Sequence, residues 1–343
     1  SDSSEYLFKE NLKGYMIGGN LISHFNHSLN YSYYSSDRDN FGPNSWDNYK
    51  AKGQRQSLLY KASKRLADNY NFVGGIDFTE DKALISNNNK SSDLMGLFVE
   101  NIFDLENNLT FTLGARQDSH SKFGDQTVYR GTFALSRNNI TYKGSLGTGY
   151  RAPSLYELFA TTFGNENLKP ETSQNIDLGI TTNFFESKMK FSGGVFTNTI
   201  NDRIDFSGGG YNQVSTEEKR QGVEIDIDYK ISDKYDSKIS YTNITDHDGD
   251  HVRKIPKNKL SYTLNSKISE KWRNLSTLTY VSDLKDTVML PDYNLINTKF
   301  IYKLDNDYYI NFRVENLLDE QYQLVNNYAT ADRSFYIGID GEF

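Results

Sequence analysis

Alternation of apolar and polar residues at a period of two runs through this sequence almost from end to end, and it leaves little room for helix. In Gly222–Tyr229, Val223, Ile225, Ile227 and Tyr229 alternate with Glu224, Asp226 and Asp228. The same pattern sets Leu260, Tyr262 and Leu264 against Ser261, Thr263 and Asn265, and Tyr308, Ile310, Phe312 and Val314 against Tyr309, Asn311, Arg313 and Glu315. It closes with Phe335, Ile337, Ile339 and a final Phe343. About seventeen strands are predicted between Tyr15 and Phe343, among them single long strands over 188–206 and 211–230.

Alternation alone fits two architectures. A soluble sandwich turns its apolar face to a core; a membrane barrel turns it to lipid and lines its lumen with the polar face. The connections separate the two. Short polar turns (HFN, LADN, LENN, RNN, FES, SEK, DND) fall at every other junction, and six long loops (37–53, 81–93, 151–172, 246–257, 282–292 and 316–333) fall at the rest. Sorting by parity is the habit of outer-membrane barrels, whose periplasmic turns are short and whose extracellular loops are long. The predicted strands also exceed the soluble norm of about 5–6 residues. The fold class expected is therefore all-β, a transmembrane antiparallel β-barrel.

Composition is consistent with this. No run of 18 apolar residues exists for a spanning helix, and a mean hydropathy of −0.68 is compatible with a barrel whose two faces average out. The 343 residues include no Cys, so thiolate and disulfide chemistry are excluded. A formal charge of −7 without a basic patch speaks against nucleic acid as a partner. The first ten residues lack the basic start and apolar run of a signal peptide. If the last strand ends on the periplasmic side, an odd count places the N-terminus outside. A bacterial single-chain barrel has an even number of strands, and open edges are costly in hydrocarbon. Strands preceding residue 1 are thus expected to be missing, unless 1–12 hides one more.

No catalytic constellation is present, and no enzyme activity is expected. His24 and His27 fall at a predicted short turn and His120 in a predicted loop. Asp246, Asp248 and Asp250 could take calcium in an outer loop, although the closing bidentate Glu of an EF-hand is absent. In the long connection after Tyr150, Pro153 stops the strand, and Ser154 with Glu157 reads as a capping box that starts a short helix at Leu155. Arg151 is expected to pair with a lumenal carboxylate. Tyr31, Tyr33, Tyr34, Tyr241, Tyr262, Tyr280, Tyr302 and Tyr308 read as interfacial aromatics at strand ends. Candidate ligand contacts are then confined to outer loops: Tyr156, Phe159, Phe163, Asn165, Tyr211, Asn212, Tyr328 and Arg333. Tyr156, Phe159 and Phe163 could equally pack the loop onto the rim.

The series Gly149-Tyr150-Arg151-Ala152-Pro153-Ser154, Glu157-Leu158, Gly164-Asn165 and Leu168-Lys169-Pro170-Glu171 resembles a signature of TonB-dependent outer-membrane receptors. Ile200–Phe206 with Lys219–Tyr229, and Arg313–Gln323 with the terminal aromatic strand, resemble the same family in the same order. The resemblance implies the outer membrane of a Gram-negative bacterium, a 22-stranded barrel, and an N-terminal plug that residues 1–343 lack together with about five strands. It also implies a receptor-transporter that binds a scarce bulky ligand outside and imports it with TonB-coupled energy. Partners would be the TonB complex through the plug, outer-membrane lipid, and the ligand. Within the family the pattern is most similar to the vitamin B12 (cobalamin) transporter group. No His lies between Arg151 and Leu168, where haem receptors usually carry a ligand. Ferric siderophore or haem receptors stay open as alternatives, as does a passive porin-like channel. No cofactor is expected beyond the loop calcium.

Overall fold

In a computed structural model, the structure describes residues 7–41, 49–85, 88–305 and 308–341. Phe343 and part of the DND turn lie outside the described residues. Nineteen strands and one short helix account for nearly all of it. Consecutive hairpins run through β1 (Leu7–Ile22), β2 (Asn26–Phe41), β3 (Tyr49–Ala67), β4 (Tyr70–Ile85), β5 (Asn88–Leu105), β6 (Leu109–His120), β7 (Gly124–Arg137) and β8 (Ile140–Arg151). After α1 (Leu155–Phe159) come β9 (Glu171–Phe184), β10 (Met189–Asn201), β11 (Arg203–Ser207), β12 (Gly210–Val214) and β13 (Glu218–Lys230). The chain ends in β14 (Tyr235–Asp246), β15 (Pro256–Lys267), β16 (Trp272–Leu284), β17 (Tyr293–Lys303), β18 (Tyr308–Glu315) and β19 (Ser334–Gly341). Seventeen strands belong to one sheet, and β11–β12 form a separate hairpin.

Two compact units make up the chain. The first comprises Ser1–Phe133, Ser145–Asn175 and Thr199–Glu218, the second Ala134–Gly144, Ile176–Asn198 and Lys219–Phe343. In the first, Tyr31, Leu58, Phe78 and Met95 stand opposite one another across β2–β5. One residue along, the row is Ser32, Ser57, Thr79 and Leu94, with Ser57 and Thr79 hydroxyls 3.0 Å apart. The second unit repeats the scheme. Ile227, Ile239, Tyr262, Leu278 and Ile296 form one row, and Asp228, Lys238, Thr263, Thr277 and Asn297 the next. Side chains one residue apart point to opposite faces, so each unit has an apolar and a polar face.

Exposure shows which architecture these faces build. A soluble sandwich would bury the apolar rows, yet Ile17, Leu97, Ile337 and Ile339 are 69%, 61%, 80% and 75% exposed. Among the described residues, no large side chain is fully buried. Such an apolar surface is stable only against hydrocarbon, and it is far larger than the patches soluble monomers show. Polar side chains on the other face satisfy one another: Thr263 with Thr277 at 3.0 Å, and Arg116 in β6 with Asp77 and with Asp118 (2.6 Å). The all-β membrane fold expected from alternation is the one observed.

Several boundaries differ from expectation. The predicted strand 188–206 is broken at Asp202 (φ 53°), and 211–230 is broken between Val214 and Glu218, which frees β11–β12 as a hairpin. Outer connections are also less uniformly long. The predicted loop 81–93 is mostly strand, because β4 runs to Ile85 and β5 resumes at Asn88. Its polar residues imitate a loop, but the ladder continues and is supported by pairs such as Arg55 Nε to Asp81 Oδ1 (2.7 Å). His120 ends β6 rather than lying in a loop, and Tyr33, Tyr34, Tyr241 and Tyr262 sit in mid-strand rather than at an end. Short turns are tight where left-handed residues allow them, as at Asn138 (φ 50°) and Asn139 (φ 68°).

Leu278→Arg, near the middle of β16 on the apolar face, is expected to cost about 2–4 kcal/mol in folding into phospholipid vesicles. Thr277→Arg on the polar face should cost far less. Denaturant midpoints of refolding in vesicles measure both.

Candidate functional site

The long connection after β8 owes its order to one arginine and one capping box. Pro153 has no N–H to continue the ladder. Ser154 caps α1: the Glu157 N–H donates to Ser154 Oγ (3.2 Å), and the Ser154 N–H donates to Glu157 Oε2 (2.7 Å). α1 is a single turn, so these two bonds satisfy a large share of its free donors. The chain then folds back: the Gly164 N–H donates to Ala160 O (2.7 Å) and the Asn165 N–H to Glu157 O (2.8 Å). A Cβ on Gly164 would lie 2.6 Å from Ala160 N and 2.7 Å from Ala160 O, both backbone atoms, so only glycine fits there.

Arg151, the last residue of β8, closes the loop at both ends. Its guanidinium donates to Glu157 Oε2 from Nη1 (3.0 Å) and to Glu171 Oε2 from Nε (2.6 Å). The second oxygen of Glu171 accepts the Ile204 N–H of the β11–β12 hairpin (2.6 Å). Both carboxylates are largely covered, with side-chain exposures of 14% and 15%. Burial alone would push each acid up. Hydrogen bonds from Arg151, from the Ser154 backbone (to Glu157) and from the Ile204 backbone (to Glu171) outweigh it and hold both below the usual carboxylate range. Arg151 thus pairs with two carboxylates: Glu171, the first residue of β9 and on the opposite face from the exposed Ile176 and Leu178, and Glu157 of the loop.

The hairpin is the element that the alternation pattern concealed. Gly208 (φ 62°) and Gly209 (φ 86°) form a two-residue turn of the kind that suits strand twist. Five backbone and side-chain bonds dock it on the loop. The Tyr211 N–H donates to Phe163 O (2.9 Å), Asn165 Nδ2 donates to Tyr211 O (3.1 Å), and the Lys169 N–H donates to Gln213 Oε1 (2.8 Å). Gln213 Nε2 donates in turn to Lys169 O (3.4 Å), and the fifth is the Ile204 bond above. Beneath these, Leu158, Leu168 and Ile204 form a small buried cluster with Phe123, Phe159 and Tyr211 packed around it. Phe159 is flanked by Lys90 Nζ at 4.1 Å and Lys122 Nζ at 4.6 Å from its ring centroid.

Four aromatic rings, Tyr211 of this cluster among them, form a continuous edge-to-face series. Tyr156 meets Tyr211 (6.2 Å), Tyr211 meets Phe206 (5.3 Å), and Phe206 meets Phe163 (5.5 Å). Tyr156 is 47% exposed and Phe206 is 50% exposed, although neither stands on the apolar face of the sheet. The structure brings together Tyr156, Phe159, Phe163, Asn165 and Tyr211 from the predicted set. Phe159 is committed to packing, and Asn212 is exposed but turns its amide back to Ser207 O and Gly210 O. Phe206, in a segment read as the end of a strand, was missed; its place after the Asp202 break is the only signal, and alternation does not show it.

Tyr328 and Arg333 lie elsewhere, in the connection between β18 and β19. That connection belongs to a second loop assembly, tied by Asp286. Its carboxylate accepts from Arg253 Nε (3.1 Å) and from the Asn326 N–H (3.1 Å), joining three connections. Tyr328 is open to solvent, and the Arg333 N–H donates to Asp319. Of the acidic trio, Asp246 Oδ1 accepts the N–H groups of Asp248 (3.0 Å) and Asp250 (2.8 Å). Asp246, His247 and Asp248 present their donor atoms within 4.8 Å of one another. Asp250 points instead to His251 Nδ1 (2.6 Å), so the three aspartates do not converge.

Because Glu157 and Glu171 are held below the usual carboxylate range, their contribution to loop stability is complete above the unfolded carboxylate value of about 4.3 and lost as pH falls through the folded values. Hydrogen exchange at the Ile204 and Tyr211 amides, corrected for intrinsic rate, should rise on acidification below pH 4. Glu171→Gln should raise it at neutral pH, by a loss of about 1.5–3 kcal/mol for a bond to a charged group. Unchanged protection in the variant would show that the hairpin docks without this bond. Gly164→Ala should likewise raise exchange at Asn165.

Comparison with known proteins agrees with this geometry. Residues 4–317 match the family described as TonB dependent receptor-like, beta-barrel. The chain is 24% identical over 335 residues to the vitamin B12 transporter BtuB of Vibrio cholerae serotype O1, covering 87% of this chain and 52% of that protein. It is 23% identical over 286 residues to the iron-regulated outer membrane virulence protein of Vibrio cholerae serotype O1, covering 72% and 44%. Among solved structures, a variant of the ferric enterobactin receptor PfeA from Pseudomonas aeruginosa superimposes with a TM-score of 0.83 at 17% identity, covering 98% of this chain and 62% of that one. The copper transporter OprC does so at 0.75 and 16%, covering 98% and 65%. The chain spans about half the length of the curated relatives it matches. It belongs to the TonB-dependent receptor-like β-barrel family of the Gram-negative outer membrane.

Proposed function

We propose that this chain supplies the barrel and outer loops of a receptor that captures a scarce, bulky ligand at the cell surface and imports it with TonB-coupled energy. The carrying observation is the exposed aromatic series Tyr156–Tyr211–Phe206–Phe163, held rigid by the Arg151 bridge and the docked hairpin. Aromatic rings on a fixed backbone offer large contact area at small entropic cost. A broad, partly planar ligand suits such a surface. Cobalamin is the first choice, because the BtuB relatives align over most of the chain. A ferric siderophore is the second, because siderophore receptors share the fold. In this reading a plug domain, encoded with the barrel, closes the lumen and contacts TonB. A passive channel would have no use for an ordered aromatic surface outside the sheet.

Cells expressing the full gene should bind labelled cobalamin saturably, in competition with unlabelled ligand. The double substitution Tyr156→Ala and Phe206→Ala should weaken that binding about tenfold or more, as loss of two aromatic contacts does at a hot spot. Absence of specific cobalamin binding together with uptake of iron chelates would reject cobalamin and retain the receptor. Diffusive uptake of small solutes without saturation would reject the receptor.

A further inference from the structure

The short turns of outer-membrane barrels face the periplasm, and in this chain most of them carry a carboxylate: Asp68, Glu106, Glu186, Asp233, Glu270 and Asp305. The β1–β2 turn, Ser23–Phe25, carries none. In its place stand His24 and Phe25, packed against Lys64 of β3. Lys64 Nζ donates to His24 Nε2 and lies 5.2 Å from the centroid of the Phe25 ring. Among the described residues, no carboxylate is within ion-pair distance of Lys64. An ammonium that donates to a neutral imidazole keeps its whole charge and has N–H groups to spare. A His24 that accepts at Nε2 carries its proton on Nδ1, which is a second donor beside the first.

Immediately toward the apolar band, His27 is fixed at both nitrogens, by Ser23 Oγ (3.0 Å) and Tyr60 OH (2.7 Å). It stacks on Tyr60 at 5.9 Å. Tyr60 pairs across the ladder with Leu29 and Ile76, all on the outward face. The corner therefore passes, over one short distance along β2 and β3, from apolar side chains through amphipathic rings to an unpaired cation. That order matches a phospholipid read from acyl chain through glycerol to phosphate.

We propose that this corner is a binding site for an anionic phospholipid of the inner leaflet of the outer membrane. Lys64 and His24 donate to the phosphate oxygens, and Phe25, the His27–Tyr60 pair and Leu29 lie along the glycerol and the first acyl carbons. The site rests on the membrane-embedded fold and is independent of the ligand proposed for the outer loops.

Native mass spectrometry of the protein in uncharged detergent, titrated with phosphatidylglycerol or phosphatidylcholine, tests it. The protein should prefer phosphatidylglycerol about fivefold or more, the factor expected for one lysine near an anionic headgroup. Lys64→Gln combined with His24→Gln should abolish the preference, and Lys64→Arg should keep it. Lys230→Gln at another short turn, where Lys230 already pairs with Asp233 (2.8 Å), should also keep it. Each variant is compared at equal β-sheet circular dichroism. No preference in the unsubstituted protein, an unchanged preference in the double variant, or displacement of the lipid by soluble glycerol 3-phosphate would overturn the proposal.

Discussion

Pairing of the backbone across adjacent strands is the interaction on which everything else in this protein depends. Its apolar rows are exposed rather than packed into a core, and lipid cannot satisfy an N–H or a carbonyl. Each strand must find both neighbours in register. A one-residue slip would exchange the Leu278 row for the Thr277 row and place Asp228 and Lys238 in hydrocarbon. The two-residue period thus does more here than mark strands: it fixes register through the cost of error.

Outside the membrane the same chain is under a different rule. Water satisfies loose backbone there, and order must come from specific contacts. Arg151 provides it by joining the end of β8, the first turn of α1 and the start of β9, and by leaving one Glu171 oxygen for the hairpin. Asp286 does the same for three connections of the second unit. In both cases a single buried or half-buried charge is shared among segments distant in sequence. Removing either charge would loosen several loops at once, while the strands below would keep their ladder.

Much of this was legible beforehand, and the particular residues show why. The capping box at Ser154 and Glu157 is local, three residues apart, and the structure contains it as read. The apolar rows are periodic, and they too stand as expected. The β11–β12 hairpin was not legible, because Asp202 bends a segment that alternates on either side of the bend. The 81–93 stretch reads as a loop because its polar residues suit solvated coil, whereas Arg55 and Asp81 support a strand ladder there. Arg151 was expected to have a carboxylate partner, but the partners' identities depend on where β9 begins.

What the sequence by itself determined is the set of properties that follow from neighbours along the chain: strand identity, two unlike faces, the stop at Pro153, the cap of α1 and membership of a family through ordered motifs. Tertiary structure alone decided which distant groups meet. It placed Tyr211 between Tyr156 and Phe206, brought Glu171 to both Arg151 and Ile204, and set Lys64 beside His24 across 40 residues. The physical reason is that periodicity is a property of one segment, whereas a site is a property of several. Their meeting is fixed by hydrogen-bond register and loop path, which no single segment encodes.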